Sequence, residues 1–259
     1  MRKIPTLFER IYENHKVIGI TDKLSDERLQ VVLDGKCTPT VKIDGSCCAV
    51  INDKWYKRFD AKAGKKVPEG AIPCQDAPDP VSGHWPHWIE LNPDKAEDKW
   101  FIAAFNNYHD SEELRLETGD EIQPITYEAI GPHFQGNPYK LEKDTLYKHG
   151  SSIITELQNR KLNIDILRGY LYNNEIEGIV FWLTDPTGEY PICKIKRSDF
   201  GFEWPVTSNK QIDRQDCISR RAVLDTLDKM DKALDDDRSV ESYKKLLTEC
   251  YKDLPPIIK

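Results

Sequence analysis

The sequence predicts an α+β protein in which a mostly β domain over residues 1–206 is followed by a helical hairpin. Short β-prone runs recur along the first two hundred residues, separated by Gly, Pro, Asn and Asp, and only one amphipathic helical pattern lies among them. After Trp204-Pro205, a polar stretch over 207–216 has the composition of a linker and leads into two helical patterns. With 259 residues the chain is long enough to bury a sizeable core.

The first predicted strands flank a lysine. Residues 38–41 are β-prone and residues 47–51 are apolar, and Asp44-Gly45 between them predicts a tight turn, where glycine reaches backbone angles that cost other residues free energy. Lys42 would then lie beside a rigid turn, which suits a nucleophile. Asn52-Asp53 predicts a second turn that leads into a strand over 55–59.

Further elements follow from the same signals. Residues 17–33 show no sustained period and predict no element, and residues 64–94, rich in Pro and Gly, predict an irregular loop. A helix is predicted over 164–172 with Asn163 as its cap. Strands are predicted over 100–105, 122–130, 176–183 and 190–195, the last two joined by a Pro- and Gly-containing hairpin turn over 185–188.

The segment over 217–259 predicts two amphipathic helices, over 219–235 and 239–252, separated by an acidic break. Each helix carries one apolar stripe, at 223, 227, 230 and 234 and at 243, 246, 247 and 250. The stripes either close an intramolecular hairpin, pair two chains, or bind a protein partner.

Charge and cysteine content narrow the classes of function. A net charge of -7 argues against a protein that coats nucleic acid indiscriminately. Two basic clusters, over 54–66 and 194–197, suit either a confined phosphate site or two solvated surfaces. Seven cysteines without a Cys-x-x-Cys pair indicate reduced thiols in a cytoplasmic protein. No apolar run approaches the ~20 residues of a membrane span, and the charged N-terminus does not resemble a signal peptide, so no membrane partner is expected.

The strongest candidates for functional residues are charged residues embedded in the apolar strands. They are, in chain order, Lys42, Arg58, Glu128, Glu177, Lys194 and Lys196. Lys194 and Lys196 alternate, so on a strand both side chains point to one face. Taken singly, the glutamates also fit the rim of a sheet and the lysines an exposed strand face. Because buried unpaired charges are costly, their joint occurrence favours a shared site for a polyanionic ligand and a divalent metal.

The chain resembles the covalent nucleotidyltransferases, which comprise ATP-dependent DNA ligases, RNA ligases and mRNA capping enzymes. The resemblance to motifs I, Ia, III, IV and V lies, in order, in Lys42-Ile43-Asp44-Gly45, Arg58, Tyr127-Glu128, Glu177-Gly178 and Lys194-Ile195-Lys196. Within this superfamily the chain is most similar to the family of the vertebrate ATP-dependent 5′-to-3′ RNA ligase. That similarity extends to KIPTLF, KIDGSCC, GHWPHW, QGNPY, KHG, IEGIVFW and KIKRSDFGFEWP, and covers most of residues 1–206 but not the part from Cys217 onward.

The resemblance implies a nucleotidyltransferase (ATP-grasp-like) domain with antiparallel sheets around an ATP cleft. It also implies ATP-dependent joining of RNA 5′-phosphate and 3′-hydroxyl ends. Lys42 would attack the α-phosphate of ATP, expel pyrophosphate and carry AMP, which then passes to the RNA 5′-phosphate before the 3′-hydroxyl displaces it. A free lysine is protonated at pH 7, so its site must remove the proton, and nearby cations favour that.

The family's functional residues map onto this sequence one by one. Lys42, Lys194 and Lys196 would be catalytic, the last two by neutralising charge on the α-phosphate. Nucleotide contacts are implied for Val41, Lys42, Arg58, Glu128, Lys194 and Lys196, with Glu128 on the ribose hydroxyls and Arg58 on the ribose or a phosphate. Glu177 would hold Mg²⁺ or Mn²⁺ or its waters, and Asp44 would either hold a metal-bound water or orient the turn. Phe181 would either stack on adenine or belong to the core.

Two other functions compete with RNA ligation. DNA nick sealing or mRNA capping usually needs an OB-fold domain after motif V, whereas the short remaining segment here is patterned as helices. A nucleotide- or RNA-binding module that has lost catalysis is the third reading, although all five motif positions are intact. The loops at His84–Trp88 and Gly131–Tyr139 have no transferred role, and their aromatic and histidine side chains either stack on single-stranded RNA ends or pack in the fold.

Overall fold

A computed structural model describes residues 1–206 apart from 15, 63–64, 81, 110–115, 122 and 186–187. The predicted linker over 207–216 and helical hairpin over 217–259 therefore lie outside the described residues. Three helices and eleven strands are described. In chain order they are β1 (Phe8–Glu13), β2 (Lys16–Leu24), α1 (Gln30–Leu33), β3 (Thr38–Lys42), β4 (Ser46–Ile51), β5 (Lys54–Ala61), β6 (Ile72–Pro73), β7 (Trp85–Glu90), α2 (Lys99–His109), β8 (Ile125–Ile130), β9 (Thr145–Lys148), α3 (Ile164–Asn173), β10 (Gly178–Asp185) and β11 (Gly188–Lys196). Short 3₁₀ turns add Glu27–Leu29, Ala96–Asp98, Thr155–Leu157 and Arg197–Phe200.

The strands form three sheets in which neighbouring strands run antiparallel. β1 and β2 make a two-stranded ribbon, β11-β10-β3 a three-stranded sheet, and β6-β7-β5-β4-β8-β9 a six-stranded sheet. The described part is thus mixed α+β with antiparallel sheets and few helices, an arrangement compatible with a nucleotidyltransferase-like domain.

Residue alternation gives the three-stranded sheet one core face and one open face. Odd-numbered residues such as Ile179 and Ile195 are buried and pack with Leu167 and Leu171 of α3. Up to the register shift between Phe181 and Trp182, even-numbered residues of these strands point to the opposite face, because successive side chains along a strand alternate. Lys42, Lys194 and Lys196 all belong to this even-numbered set.

The six-stranded sheet is also two-faced. Cys48, Tyr127 and Leu146 pack against α2 through Phe105 and Tyr108. The opposite face carries a small apolar cluster around Ala49, Ile51, Tyr56 and Trp88, and beside it the polar residues Cys47, Arg58 and Glu128. This polar part of the sheet faces the even-numbered side of the three-stranded sheet.

The predicted hairpin at Asp44-Gly45 is wrong, although both of its strands are present. β3 pairs with β10, whereas β4 pairs with β5 and β8, so the chain crosses from one sheet to the other between Lys42 and Ser46. The glycine is required by close approach, because a Cβ atom on Gly45 would lie 2.3 Å from the carbonyl oxygen of Ala129. Lys42 is therefore the last residue of one sheet, directly before the crossing.

Elements with strong local signals are confirmed. Asn163 caps α3 by accepting a 2.8 Å hydrogen bond from the backbone N–H of Ile166. Asn52 and Asp53, with φ of 48° and 61°, form the turn between β4 and β5. β10 and β11 pair as predicted.

Three other predictions are wrong. Residues 100–105 are predicted as a strand but lie in α2, because Phe101, Ala104, Phe105 and Tyr108 recur at helical spacing and pack against the six-stranded sheet. Residues 17–33 contain most of β2 and the short α1, and the proline-rich stretch 64–94 contains β7, which is held by pairing with β5 on one side and β6 on the other.

The His84–Trp88 loop has a structural role in the described part of the chain. His87 and Trp88 are buried within β7, and Trp85 Nε1 donates a 2.7 Å hydrogen bond to the carbonyl oxygen of Gln75. These contacts favour packing over RNA stacking for this segment. Cys37, Cys47, Cys48, Cys74 and Cys193 carry free thiols. A search of the described residues finds no helix with the length and apolar character needed to cross a membrane.

Candidate active site

The two larger sheets share a cavity of about 150 Å³. The three-stranded sheet contributes Thr40, Lys42, Val180, Trp182 and Lys194, and the six-stranded sheet contributes Cys47, Arg58 and Glu128. His149 and Gly150, which follow β9, complete this side of the lining. Strand register thus gathers residues from positions 40 to 194 into one cleft.

A carboxylate connects two lysines on the three-stranded sheet. Gly178 of β10 lies between Lys42 of β3 and Lys196 of β11 in one row of the sheet. Glu177, directly before Gly178, accepts a 2.5 Å hydrogen bond from Lys42 Nζ on Oε2 and forms an ion pair with Lys196 Nζ through Oε1 at 2.7 Å. Glu177 is only 5% exposed, so one buried negative charge is shared by two lysines, and the three groups together keep one positive charge.

Lys194 lies one row further along the same face, opposite Val180. Burial lowers the pKa of Lys194 to about 8, and the positive charges of Lys42 and Lys196 act in the same direction. The cleft therefore concentrates positive charge at one end, as an anionic ligand requires.

Asp44 lies at the crossing between the sheets and is held from two sides. Its Oδ2 accepts a 2.8 Å hydrogen bond from Trp204 Nε1, and its backbone N–H donates a 2.7 Å bond to the Tyr139 hydroxyl. Burial raises the pKa of the Asp44 carboxyl, which the bond from Trp204 opposes. Tyr139 belongs to the Gly131–Tyr139 loop, which thus contacts the backbone two residues from the candidate nucleophile.

On the six-stranded sheet, Glu128 is fixed by a histidine. His149 Nε2 lies 2.7 Å from Glu128 Oε2, and His149 Nδ1 lies 2.9 Å from Thr126 Oγ1. Arg58 lines the same cleft, and its Nε donates a 3.0 Å hydrogen bond to Asp60. The carboxylate and the guanidinium therefore both reach the cavity from one sheet face.

Phe181 lies in the core and away from the cleft, and the cavity lining does not include Asp44, Glu177 or Lys196 either. The Phe181 ring is 0% exposed and packs in the core of the three-stranded sheet, so it offers no face to a nucleotide. Val180 and Trp182 on either side of it line the cavity instead, because alternate residues of β10 face opposite ways. Trp182 Nε1 donates a 2.9 Å bond to Thr40 Oγ1, which fixes the indole. Val41 packs against the core and also lines the cavity.

The sequence does not single out several residues that the structure brings to the site. They are Tyr139, His149, Trp182 and Trp204. Each lies in a segment of family similarity, but none is charged at a strand position, and their partners are distant in sequence. Their contacts with Asp44, Glu128 and Thr40 can be predicted only when the pairing of the strands is known.

Two acidic side chains approach each other near Lys42. Asp44 and Glu177 are close enough for the charge of Glu177 to raise the pKa of Asp44. Carboxylate oxygens are donors of the kind that Mg²⁺ takes together with substrate phosphates.

Comparison with known proteins adds a relationship along most of the chain. No family model matches it. It is 26% identical to RNA ligase 1 of Rattus norvegicus and 25% identical to RNA ligase 1 of Mus musculus, with 89% of this chain and 94% of each relative covered. It is 24% identical to RNA ligase 1 of Pongo abelii, over 90% of both chains. The chain is a relative of the vertebrate RNA ligases.

The relationship reaches beyond the segment that carries the motifs. Residues 1–216 make up about five sixths of the chain, so a match to 89% of it must include part of the segment after Cys217. The expectation that the resemblance stops before Cys217 is therefore wrong.

Proposed function

We propose that this protein is an ATP-dependent 5′-to-3′ RNA ligase that joins 5′-phosphate and 3′-hydroxyl RNA ends through a lysyl-AMP intermediate. The observation that carries the proposal is the shared cleft. Lys42 at the edge of one sheet lines this cleft together with Glu128 of the other sheet, whose carboxylate suits the hydroxyls of a ribose. The relationship to proteins named RNA ligase 1 along 89–90% of the chain supports the choice of RNA as substrate.

In the first step, Lys42 Nζ would attack the α-phosphate of ATP. A nitrogen–phosphorus bond forms, the bond between the α-phosphate and its bridging oxygen breaks, and pyrophosphate leaves. The proton on Nζ has to depart before attack, and Glu177 Oε2 at 2.5 Å is an acceptor within reach. The cationic side chains of Lys194 and Lys196 would stabilise the charge that develops on the α-phosphate.

The remaining residues of the cleft would hold the nucleoside. Glu128, kept in place by His149, has a carboxylate suited to the ribose hydroxyls, and Arg58 lies near enough to bind the ribose or a phosphate. Val180 and Trp182 offer the apolar surface for adenine that the core position of Phe181 cannot. The enzyme would then transfer AMP to an RNA 5′-phosphate, and the RNA 3′-hydroxyl would displace it.

Asp44 and Glu177 would hold Mg²⁺ or Mn²⁺. A bound divalent ion supplies charge neutralisation at the phosphates. Trp204 orients the Asp44 carboxylate for this role through its 2.8 Å hydrogen bond.

The direct test is covalent labelling. Incubation with α-labelled ATP and Mg²⁺ is expected to label the wild-type protein, and Lys42→Ala is expected to abolish the label. Lys36→Ala, which removes an exposed lysine six residues earlier, is the matched control and is expected to keep it. Label that persists in Lys42→Ala, or is missing from the wild type, would overturn the mechanism.

The RNA specificity needs its own assay. A 5′-phosphorylated RNA with a 3′-hydroxyl acceptor is expected to yield a joined product and, on the way, an adenylylated 5′ end. The same assay is run with matched DNA ends, with a nicked duplex and with a 5′-hydroxyl RNA. The pattern of products distinguishes RNA joining from nick sealing and capping. Labelling of Lys42 without joining of any RNA would leave the nucleotidyl transfer intact but refute the ligase assignment.

A further inference from the structure

A second, chemically different group of potential metal ligands lies in the same cleft. The Cys47 thiol, the Glu128 carboxylate and a ring nitrogen of His149 have ligand atoms that all lie within 4.8 Å of one another. The group shares no residue with the pair Asp44 and Glu177. Its sulfur and imidazole donors favour a softer cation than the oxygen donors of that pair do.

The strand order of the six-stranded sheet creates this group. Cys47 of β4 and Glu128 of β8 are direct partners across the two strands, so their side chains leave the same face side by side. His149 follows β9, the next strand, and its backbone N–H donates a 3.1 Å bond to the carbonyl oxygen of Thr126. All three residues line the cavity, so an ion from solvent can reach them.

The imidazole is already oriented as a metal ligand requires. Thr126 Oγ1 lies 2.9 Å from Nδ1, and Nε2 points to Glu128 Oε2 at 2.7 Å. A histidine ligand commonly uses one ring nitrogen for the metal while the other is held by a hydrogen bond, which fixes the ring. A cation that replaces the contact between Nε2 and Oε2 would be bound by both atoms.

We propose that Cys47, Glu128 and His149 form a binding site for a thiophilic divalent cation of the Zn²⁺ class, and that a cation bound there excludes the nucleotide. On binding, the Cys47 thiol gives its proton to solvent and a sulfur–metal bond forms, while Glu128 and His149 supply one oxygen and one nitrogen. These three protein ligands leave a fourth position for water. The excluded nucleotide rests on the proposed function, because Glu128 cannot then hold the ribose.

Some of the charges around the three ligands favour a bound cation and others disfavour it. Burial and the neighbouring Glu128 raise the pKa of the Cys47 thiol, whereas the positive charges of the Met1 ammonium and of Arg58 lower it. Arg58 on the adjacent strand disfavours a cation, but its guanidinium is engaged by Asp60 at 3.0 Å. The Cys47 thiolate and the Glu128 carboxylate together match the two charges of the ion.

Cadmium titration of the intact protein tests the site without reference to activity. Cd²⁺ is expected to produce the ultraviolet charge-transfer band of a cadmium–thiolate bond with one equivalent bound, and Zn²⁺ is expected to abolish the band by competition. Cys47→Ser is expected to lose the band, and His149→Gln to weaken the affinity roughly tenfold to hundredfold. Cys74→Ser removes another half-buried thiol on the same sheet and is the matched control, expected to keep the band. Circular dichroism checks that each variant is folded.

Two outcomes overturn the site. One is a band that survives Cys47→Ser or is lost with Cys74→Ser, and the other is a His149→Gln variant, folded, that binds Cd²⁺ like the wild type. Exclusion of the nucleotide is measured separately, as loss of lysyl labelling on addition of Zn²⁺ and its recovery with a zinc-selective chelator. Cadmium binding without any labelling of the protein would remove the proposed function but keep the site, whereas labelling that Zn²⁺ leaves unchanged in a protein that binds Cd²⁺ would refute the exclusion.

Discussion

At the scale of single residues, Glu177 is the group on which the lysines of the cleft depend. It is buried and contacts both Lys42 and Lys196, so its single negative charge is shared by two ammonium groups on one sheet face. Glu177→Gln keeps the shape but removes this charge. We expect the initial rate of lysyl labelling with α-labelled ATP to fall roughly a hundredfold or more, the size of effect typical for loss of one electrostatic contact in a transition state.

The control for this substitution lies two residues earlier. Glu175→Gln removes an exposed carboxylate from the same approach to β10 and should leave the labelling rate unchanged. Equal rates in Glu177→Gln and the wild type would contradict the role given to Glu177.

Lys194 gives the protein a measurable dependence of stability on pH. Its pKa is lowered from 10.5 to about 8 in the folded state, so between these values the unfolded chain binds more protons than the folded one. Stability due to this residue therefore rises with pH across that window, and below pH 8 the full cost of burying the charge remains. Lys194→Met should be more stable than the wild type at pH 7, by roughly 3 kcal/mol at most.

The measurement is urea unfolding of both proteins at several pH values between 7 and about 10. The advantage of Lys194→Met should shrink as the pH rises, while Lys23→Met, which alters an exposed lysine, should show no such trend. A difference between Lys194→Met and the wild type that does not vary with pH would show that burial does not lower the Lys194 pKa.

How far the site can be predicted from sequence also differs from residue to residue. Lys42, Glu128 and Lys194 were predictable because a charge inside an apolar strand needs a partner. His149 and Trp204 were not, because their roles depend on contacts to Glu128 and Asp44 that are made across the fold. Phe181 shows how far prediction reaches within a single strand. Neighbouring residues of a strand face opposite sides of the sheet, so Phe181 lies in the core although Val180 and Trp182 line the cleft.

At the scale of elements, the crossing between β3 and β4 positions the nucleophile. It passes so close to β8 that a Cβ atom on Gly45 would meet Ala129 O at 2.3 Å and Glu128 Cγ at 2.8 Å. Gly45→Ala should push the crossing away from β8, which displaces Lys42 and Asp44 together. We expect a loss of about 1–3 kcal/mol in the free energy of unfolding and a marked loss of lysyl labelling.

Gly19→Ala is the matched control for this substitution. Gly19 also lies outside the left-handed region, and a Cβ atom there would meet nothing within 4 Å. Urea unfolding and labelling of the two variants should therefore differ clearly. A Gly45→Ala protein with wild-type stability would mean that the crossing can move away from β8 without cost.

The same crossing explains which elements the sequence could predict. The α3 helix with its Asn163 cap and the pairing of β10 with β11 arise from residues close together in the chain. The assignment of β3 and β4 to different sheets depends on pairings with β10, more than 130 positions away, and with β8. Local turn chemistry at Asp44-Gly45 therefore predicts a bend but cannot distinguish a hairpin from a crossing.

At the scale of the whole molecule, the cleft is lined by several basic residues although the chain carries a negative net charge. The net charge is -7, yet Lys42, Arg58 and Lys194 line one cavity between two sheets. Basic residues confined to a cleft attract a compact polyanion without making the whole surface attractive to nucleic acid. A ligand in this cleft contacts both sheets, so its binding free energy should add to the stability of the entire described part of the chain.

The predicted division at residue 206 can be tested with two truncations. All described residues that line the cleft lie before 206, and Trp204 near that boundary donates a hydrogen bond to Asp44. A chain that ends at residue 206 should therefore fold and label Lys42 at a rate within about twofold of the full chain, because it keeps every described group of the site.

A chain that ends at Gly201 is the matched comparison, since it is only five residues shorter but lacks Trp204. It should label more slowly, because the Asp44 carboxylate loses the indole N–H that orients it. Circular dichroism and urea unfolding separate this effect from a general loss of structure. If the chain that ends at 206 is folded yet does not label, the segment after 206 takes part in nucleotidyl transfer. The catalytic domain then extends beyond residue 206.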